Sequence, residues 1–172
     1  MPGRLVVLGI DPGTAIMGYG VVSSEPGGMA RLTECGVVRT PASASFAARL
    51  NTVYDGVCEL IARHQPDAIA VEGLFHGRNA RSALLLGHAR GVVLLAAGQA
   101  VRPIMEISPA EVKRAVTGTG AAGKAQVSAM VTRLLGLASA PTPADASDGV
   151  AIALTCLMRM QPRARLGTGA AR

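Results

Sequence analysis

Eleven acids occur in the chain, and four of them stand in unusual places. Asp11 closes the apolar run "LVVLGI" and is followed at once by Pro12 and Gly13. Glu72 closes a second run, "AIAV". Asp145 and Asp148 lie three apart in "DASD", at the expected start of the last helix, so they share a face. Each has an ordinary explanation. Asp11 before Pro-Gly suits an Asx turn. Asp145, at the third position of a Thr-Pro-Ala-Asp helix start, suits the helix dipole, and Asp148 does so more weakly. Glu72 has the poorest such explanation, because a Glu flush with a buried strand is unpaired unless it has a task. Together the four read as a cluster. Like charges at short range raise each other's pKa, so four carboxylates cannot gather without a cation. An oxygen-only donor set suits a hard ion such as Mg²⁺, with Mn²⁺ as a substitute. Two such ions about 4 Å apart would make a phosphoryl-transfer site, one activating water and the other stabilising the leaving oxygen.

An α/β layer fold would position these acids. Residues 5–10 form a continuous apolar run, the pattern of a strand buried on both faces. Residues 19–23 are a second strand, "EPGG" is its turn, and residues 31–39 are a third. Their closeness in sequence predicts an antiparallel meander. The period then changes: Phe46, Leu50, Val53, Val57, Leu60 and Ile61 place a helix over residues 43–64. Strands follow at 67–73 and 103–107, separated by a long helix over 79–100. "SPAE", from Ser108, opens another helix with Ser as cap, Pro first and Glu third. Residues 118–123 are a loop, residues 124–135 a helix, and "PTPAD" opens a last helix that runs to about residue 160. The order predicts a five-stranded mixed sheet, three strands antiparallel and then two parallel, flanked by helices. Ligands of such sheets gather beyond the carboxyl ends of strands, which is where Asp11 and Glu72 stand. Residues 1–160 are expected to form one domain, and residues 161–172 a disordered basic tail.

A formal net charge of +6 suits a polyanionic partner such as nucleic acid, or else reflects an Arg- and Ala-rich composition without electrostatic meaning. With four aromatic residues (Phe46, Phe75, Tyr19 and Tyr54) the core must be aliphatic. Cys35, Cys58 and Cys156 are isolated in apolar stretches and read as buried, reduced thiols. With no signal-peptide pattern at the N-terminus, they point to a cytoplasmic protein. The longest apolar region, residues 83–101, is interrupted by His88, Arg90 and Gln99, which argues against a membrane span. Within it Ala83, Gly87 and Gly91 make a smooth stripe, for packing on the protein's own sheet or on a second copy. His64, before Gln-Pro, is expected to be exposed, and His88 to lie on a helix surface or interface. His76 is near Glu72 in sequence but is not expected to be catalytic.

The blocks "GIDPGT", "VEGLF", "NARSALLLGHARG" and "DASDGVAIA", in this order and spacing, closely resemble the RuvC family of Holliday-junction resolvases. The resemblance spans residues 8 to about 157. It implies a ribonuclease-H-like fold, a homodimer, and an endonuclease that nicks two like-polarity strands of a four-way DNA junction. It also implies a branch-migration helicase as partner. The family's four catalytic carboxylates fall on Asp11, Glu72, Asp145 and Asp148. Its two lysines fall on Lys113 and Lys124, the only lysines among seventeen basic residues. A compact ammonium is thus favoured there over a planar guanidinium. Lys124 is expected near the scissile phosphate, stabilising developing charge. Phe75, in "GLFHGRN", either stacks on a base at the opened crossover or anchors the dimer. Arg78 and Arg81 either meet phosphates or are solvated surface charge. Gly73 departs from the bulkier polar residues often found there in the family, and this bears on how the following loop grips a junction.

Two other classes of function are disfavoured. "GTGAAGKA" nearly fits a phosphate-binding P-loop, but Ala125 replaces the required hydroxyl and the loop follows a helix. "GIDPGTAIMGYGVV" also resembles the phosphate loop of actin-like and sugar-kinase ATPases, which need two such domains and a longer chain. A module that only binds junctions would not need four clustered carboxylates, which repel phosphate unless a metal is bound.

Overall fold

The computed structural model describes residues 4–73 and 80–161. The expected tail therefore falls, apart from Gln161, outside the described residues. Strands β1 (Val6–Asp11), β2 (Ile16–Ser24) and β3 (Ala30–Arg39) form an antiparallel meander. β1 also pairs in parallel with β4 (Ala68–Glu72), and β4 in parallel with β5 (Ile104–Ile107). The strand order is β3-β2-β1-β4-β5, the mixed sheet anticipated from the sequence. β1 is central, as its unbroken apolar run requires.

Five helices cover the sheet: α1 (Phe46–His64), α2 (Ala80–Gln99), α3 (Pro109–Thr117), α4 (Lys124–Leu134) and α5 (Ala144–Met160). The two-residue period of a strand divides the core. Leu8 and Ile10 of β1 point to one face, with Val53 and Val57 of α1 and Val93 of α2. Val7 points to the other, with Val112 of α3, Val131 of α4 and Val150 of α5. Gly9 and Asp11 share the phase of Val7, so Asp11 looks toward α5.

The contact between α5 and the sheet is unusually close, and glycines permit it. A Cβ on Gly9 would lie 2.3 Å from the Ala153 nitrogen, and one on Gly18 would lie 1.9 Å from the Asp145 carbonyl oxygen. Gly20 and Gly149 are equally constrained, against Val150 and Tyr19. Real side chains cannot occupy these spaces, so the backbone of α5 rests directly on β1 and β2. Apart from Asp148, α5 is buried from Ala146 to Leu157, which accounts for a helix that is apolar around its circumference.

Several boundaries differ from expectation. β2 begins at Ile16, three residues early, because Gly18 is a contact point rather than an end. α1 begins at Phe46 rather than residue 43, since Ser45 caps it by accepting a hydrogen bond from the Ala48 amide. α5 has Pro143 at its cap with no side-chain cap bond, which puts Asp145 at the second helical position rather than the third. The capping box of α3 forms as the sequence predicts: Ser108 Oγ accepts from the Glu111 amide, and Glu111 Oε2 accepts from the Ser108 amide at 2.8 Å. His64 is not exposed. Its ring nitrogen lies 2.8 Å from Glu34 Oε2 on β3, and only 12% of the side chain is accessible. Tyr19 and Arg63 bind the same carboxylate, so four side chains tie the end of α1 to β2 and β3. Cys156 is fully buried, whereas Cys35 and Cys58 are half-buried.

The glycine contact predicts a sharp asymmetry. Gly18→Ala should lower stability by about 3 kcal/mol or more, because α5 must move. Gly98→Ala, on an exposed part of α2 with nothing within 4 Å, should raise it by about 0.5–1 kcal/mol. Denaturant unfolding checks both, and similar effects at the two sites would contradict this packing.

Candidate active site

The sheet register places the first two acids side by side. Ile10 pairs with Val71 across the parallel β1–β4 ladder, so Asp11 and Glu72 end adjacent strands. On the other side Asp11 pairs with Gly18 of β2. Pro12 and Gly13 then turn the chain away, in a turn so tight that a Cβ on Gly13 would lie 2.1 Å from the Ile16 carbonyl oxygen. Gly18 lets the first turn of α5 settle over the end of β1, which brings Asp145 and Asp148 to Asp11. Asp11, Asp145 and Asp148 each offer a carboxylate oxygen, and these oxygens lie within 4.8 Å of one another. Glu72 is not part of that trio. It meets the cluster through a side-chain hydrogen bond with Asp11.

The electrostatics follow from this crowding. Burial, then the charges of Glu72 and Asp148, push the Asp11 carboxyl up to about 8. Burial also raises Glu72, and Asp148 adds to it, while the hydrogen bond from Asp11 acts the other way. Both carboxyl groups of the pair are thus raised, Asp11 the more strongly for the bond it shares with Glu72. Lys124, the first residue of α4, donates from Nζ to Asp148 Oδ2 at 2.8 Å. That bond and the charge of Asp148 raise its pKa, so the ammonium stays charged. One lysine does not neutralise four carboxyl groups. The donors are all carboxylate oxygens, close enough that one of them keeps a proton, and this set fits a hard divalent cation.

A cleft of about 370 Å³ opens at the cluster, lined by Asp11, Glu72, Asp148, Lys124 and Lys113 among others. The structure thus places both lysines at the acids, Lys113 from α3 and Lys124 from α4. Asp145 does not line this cleft. Arg81 is in the first turn of α2. Phe75, Arg78 and His76 lie outside the described residues. The near-P-loop sequence proves to be the α3–α4 connection, with Gly118 closing one helix and Gly123 preceding the next.

The Ala83–Gly87–Gly91 stripe faces away from the protein's own sheet. A Cβ on Gly87 or Gly91 would meet nothing within 4 Å, whereas Ala89, Val93, Ala96 and Ala97 of the same helix are buried. With Leu84, His88 and Leu95 the stripe lines an open apolar groove of about 830 Å³. α2 is long and apolar enough to cross a membrane by length and composition, but its buried face packs on the sheet.

Two arginines near the acids are not distinguished by the sequence pattern. Arg49 of α1 donates to the Thr14 carbonyl, and Arg90 of α2 donates to the Glu72 carbonyl. The one signal for Arg90 is a cation inside the apolar stretch 83–101. Arg49 has none.

The family model for "Crossover junction endodeoxyribonuclease RuvC" matches residues 7–156. The chain belongs to the RuvC family. It is 49% identical over 164 residues to the crossover junction endodeoxyribonuclease RuvC of Frankia alni, covering 95% of this chain and 83% of that protein. It is 51% identical over 147 residues to the one from Chloroflexus aggregans, covering 86% and 89%. Its fold is similar to that of Thermus thermophilus RuvC, solved in complex with a Holliday junction substrate. The TM-score is 0.81 at 37% identity, covering 90% of this chain and 95% of that one. The five-stranded sheet with its helices is the ribonuclease-H-like fold of the RuvC family.

The raised pKa of Asp11 makes the metal-free protein pH-sensitive in a definite direction. Unfolded, Asp11 titrates near 3.8, and folded, near 8. Between these values the folded chain holds a proton that the unfolded chain has lost. This stabilisation is complete below about pH 4 and disappears as the pH rises through 8. In chelator, Asp11→Asn should therefore gain stability relative to the parent between pH 5 and 9. Thermal melts across that range test it, and a constant difference would contradict the assignment.

Proposed function

We propose that this chain is a structure-selective endonuclease that resolves four-way DNA junctions by paired symmetric nicks, in recombination and repair. The observation that carries this reading is the meeting of Asp11, Asp145 and Asp148 beside a cleft lined by Asp11, Asp148, Glu72 and both lysines. Family membership supplies the substrate class. In this reading residues 1–160 act as one nuclease domain in the cytoplasm.

Asp11, Glu72, Asp145 and Asp148 would hold Mg²⁺, two ions per site, with Mn²⁺ able to substitute. The chemistry supplied at such a donor set is activation of water and stabilisation of the leaving oxygen. The chain's own residues do the rest. The four carboxylates fix the donor set at the strand ends and the start of α5. Lys124 is free to turn from Asp148 toward a phosphate, because most of its side chain is exposed, and its ammonium offsets charge developing on the phosphoryl oxygens. Lys113 grips an adjacent phosphate from the cleft wall. Arg78 and Arg81 meet the backbone farther out, and Phe75 stacks on a base at the crossover.

A junction offers two equivalent strands, which suits a two-fold homodimer. The groove along Ala83, Gly87 and Gly91 supports a dimer contact there, since small residues let two helices approach closely. A branch-migration helicase would deliver the junction.

The test is nicking of a synthetic four-way junction in Mg²⁺ or Mn²⁺. The parent should make paired symmetric nicks that disappear in chelator and in Asp11→Asn, with junction binding kept. Lys124→Ala should slow nicking by about 100-fold, and Lys124→Arg should also be slow. Equal cutting by the parent and Asp11→Asn would reject the proposed function.

A further inference from the structure

At or just beyond each strand-end acid, a backbone carbonyl is held by an arginine from the far side of the sheet. Thr14 lies three residues beyond Asp11, in the turn that leaves β1. Its carbonyl oxygen accepts from Arg49 Nε at 3.0 Å, from Arg49 Nη2 at 2.7 Å and from Thr40 Oγ1 at 2.7 Å. Arg49 Nε also donates to Thr40 Oγ1 at 3.0 Å, and the Thr40 amide donates to the Ala15 carbonyl. Three donors on one carbonyl oxygen is more than its two lone pairs call for. Among the described residues the Arg49 guanidinium has no carboxylate partner. A full positive charge is committed to fixing the turn after Asp11.

Arg90 repeats the arrangement at the neighbouring strand. Its Nε donates to the Glu72 carbonyl at 3.2 Å, and its Nη2 is ion-paired with Glu106 Oε2 on β5. Only 12% of the Arg90 side chain is accessible. The next amide, Gly73, donates to the Ile107 carbonyl at 2.8 Å. The end of β4 is thus fixed on one side by β5 and on the other by α2. Neither arginine lines the cleft itself. Both belong to the α1–α2 layer, whereas the acids face α5.

We propose that Arg49 and Arg90 are positioning residues that hold Asp11 and Glu72 in register for the cation and the scissile phosphate. Arg49 acts through the Thr14 carbonyl in the turn that follows β1, and Arg90 through the carbonyl of Glu72 itself. This rests on the proposed function and deepens it. Carboxylates that must share a cation need fixed separations, yet their mutual repulsion drives them apart. The strand ends resist that repulsion only if their own backbone is anchored. Because α2 also carries the apolar groove, Arg90 links the groove-bearing helix to Glu72.

The test uses the full chain. Mn²⁺ affinity is measured by electron paramagnetic resonance without DNA, and nicking and junction affinity are measured separately. Arg49→Met and Arg90→Met should weaken Mn²⁺ binding and slow single-turnover nicking by roughly 10- to 100-fold, the usual effect of losing the groups that orient metal ligands. Junction affinity and its salt dependence should stay at the parent values. Arg49→Lys keeps the charge but cannot place two N–H groups on one oxygen, so it should lose about as much as Met. Thr40→Val and Glu106→Gln keep both arginines and should show smaller losses in the same direction. If the Met variants do not fold, these two decide the matter. Parent-like Mn²⁺ affinity in folded variants would overturn the proposal. So would a salt slope reduced by about one with nicking intact at saturating junction, which would make the arginines phosphate contacts. A parent that fails to nick would count against the proposed function, and the Mn²⁺ titration would still decide the arginines.

Discussion

Everything at this site depends on how closely α5 lies on β1 and β2. A helix normally stands off a sheet by the depth of its side chains. Here Gly9, Gly18 and Gly20 on the sheet and Gly149 on the helix remove that depth. The helix start comes down onto the end of β1, and two aspartates one turn apart arrive beside a third. No loop contributes any of the four acids, so the constellation is as rigid as the sheet and helix that carry it. The cost is a helix buried around its circumference, which the Ala-rich, apolar sequence of α5 meets.

That geometry explains the electrostatics as a consequence rather than a separate feature. Carboxyl groups brought together by backbone packing cannot relax apart, so one keeps its proton and a lysine leans on another. A divalent cation is the species whose charge such a set of carboxyl groups would match. Arg49 and Arg90 belong to the same logic. They anchor the strand ends against a repulsion generated on the other face of the sheet.

The acids were legible in the sequence because each sits at the end of a recognisable element. Asp11 and Glu72 terminate apolar runs, and Asp145 and Asp148 have helical spacing. The sheet order was legible because the change from a two-residue to a 3.6-residue period is plain. What was hidden depended on contacts distant in sequence. Gly18 reads locally as a weak point in a strand, and only the approach of α5 shows why nothing larger fits. His64 reads as an exposed residue at a helix end, and only the position of Glu34 on β3 buries it. Arg49 is one of two arginines on the amphipathic helix α1, and its target is a carbonyl 35 residues away. Glu72 was expected as an equal member of a four-carboxylate cluster. It lines the same cleft and is hydrogen-bonded to Asp11, while the close trio of carboxylate oxygens is made by the three aspartates.

The most direct measurement is an anomalous diffraction map from crystals of the protein grown with Mn²⁺. This account predicts manganese peaks among Asp11, Asp145 and Asp148, with Glu72 turned toward them and Lys124 released from Asp148. Manganese bound elsewhere, with the Lys124–Asp148 pair intact and this cluster empty, would contradict it.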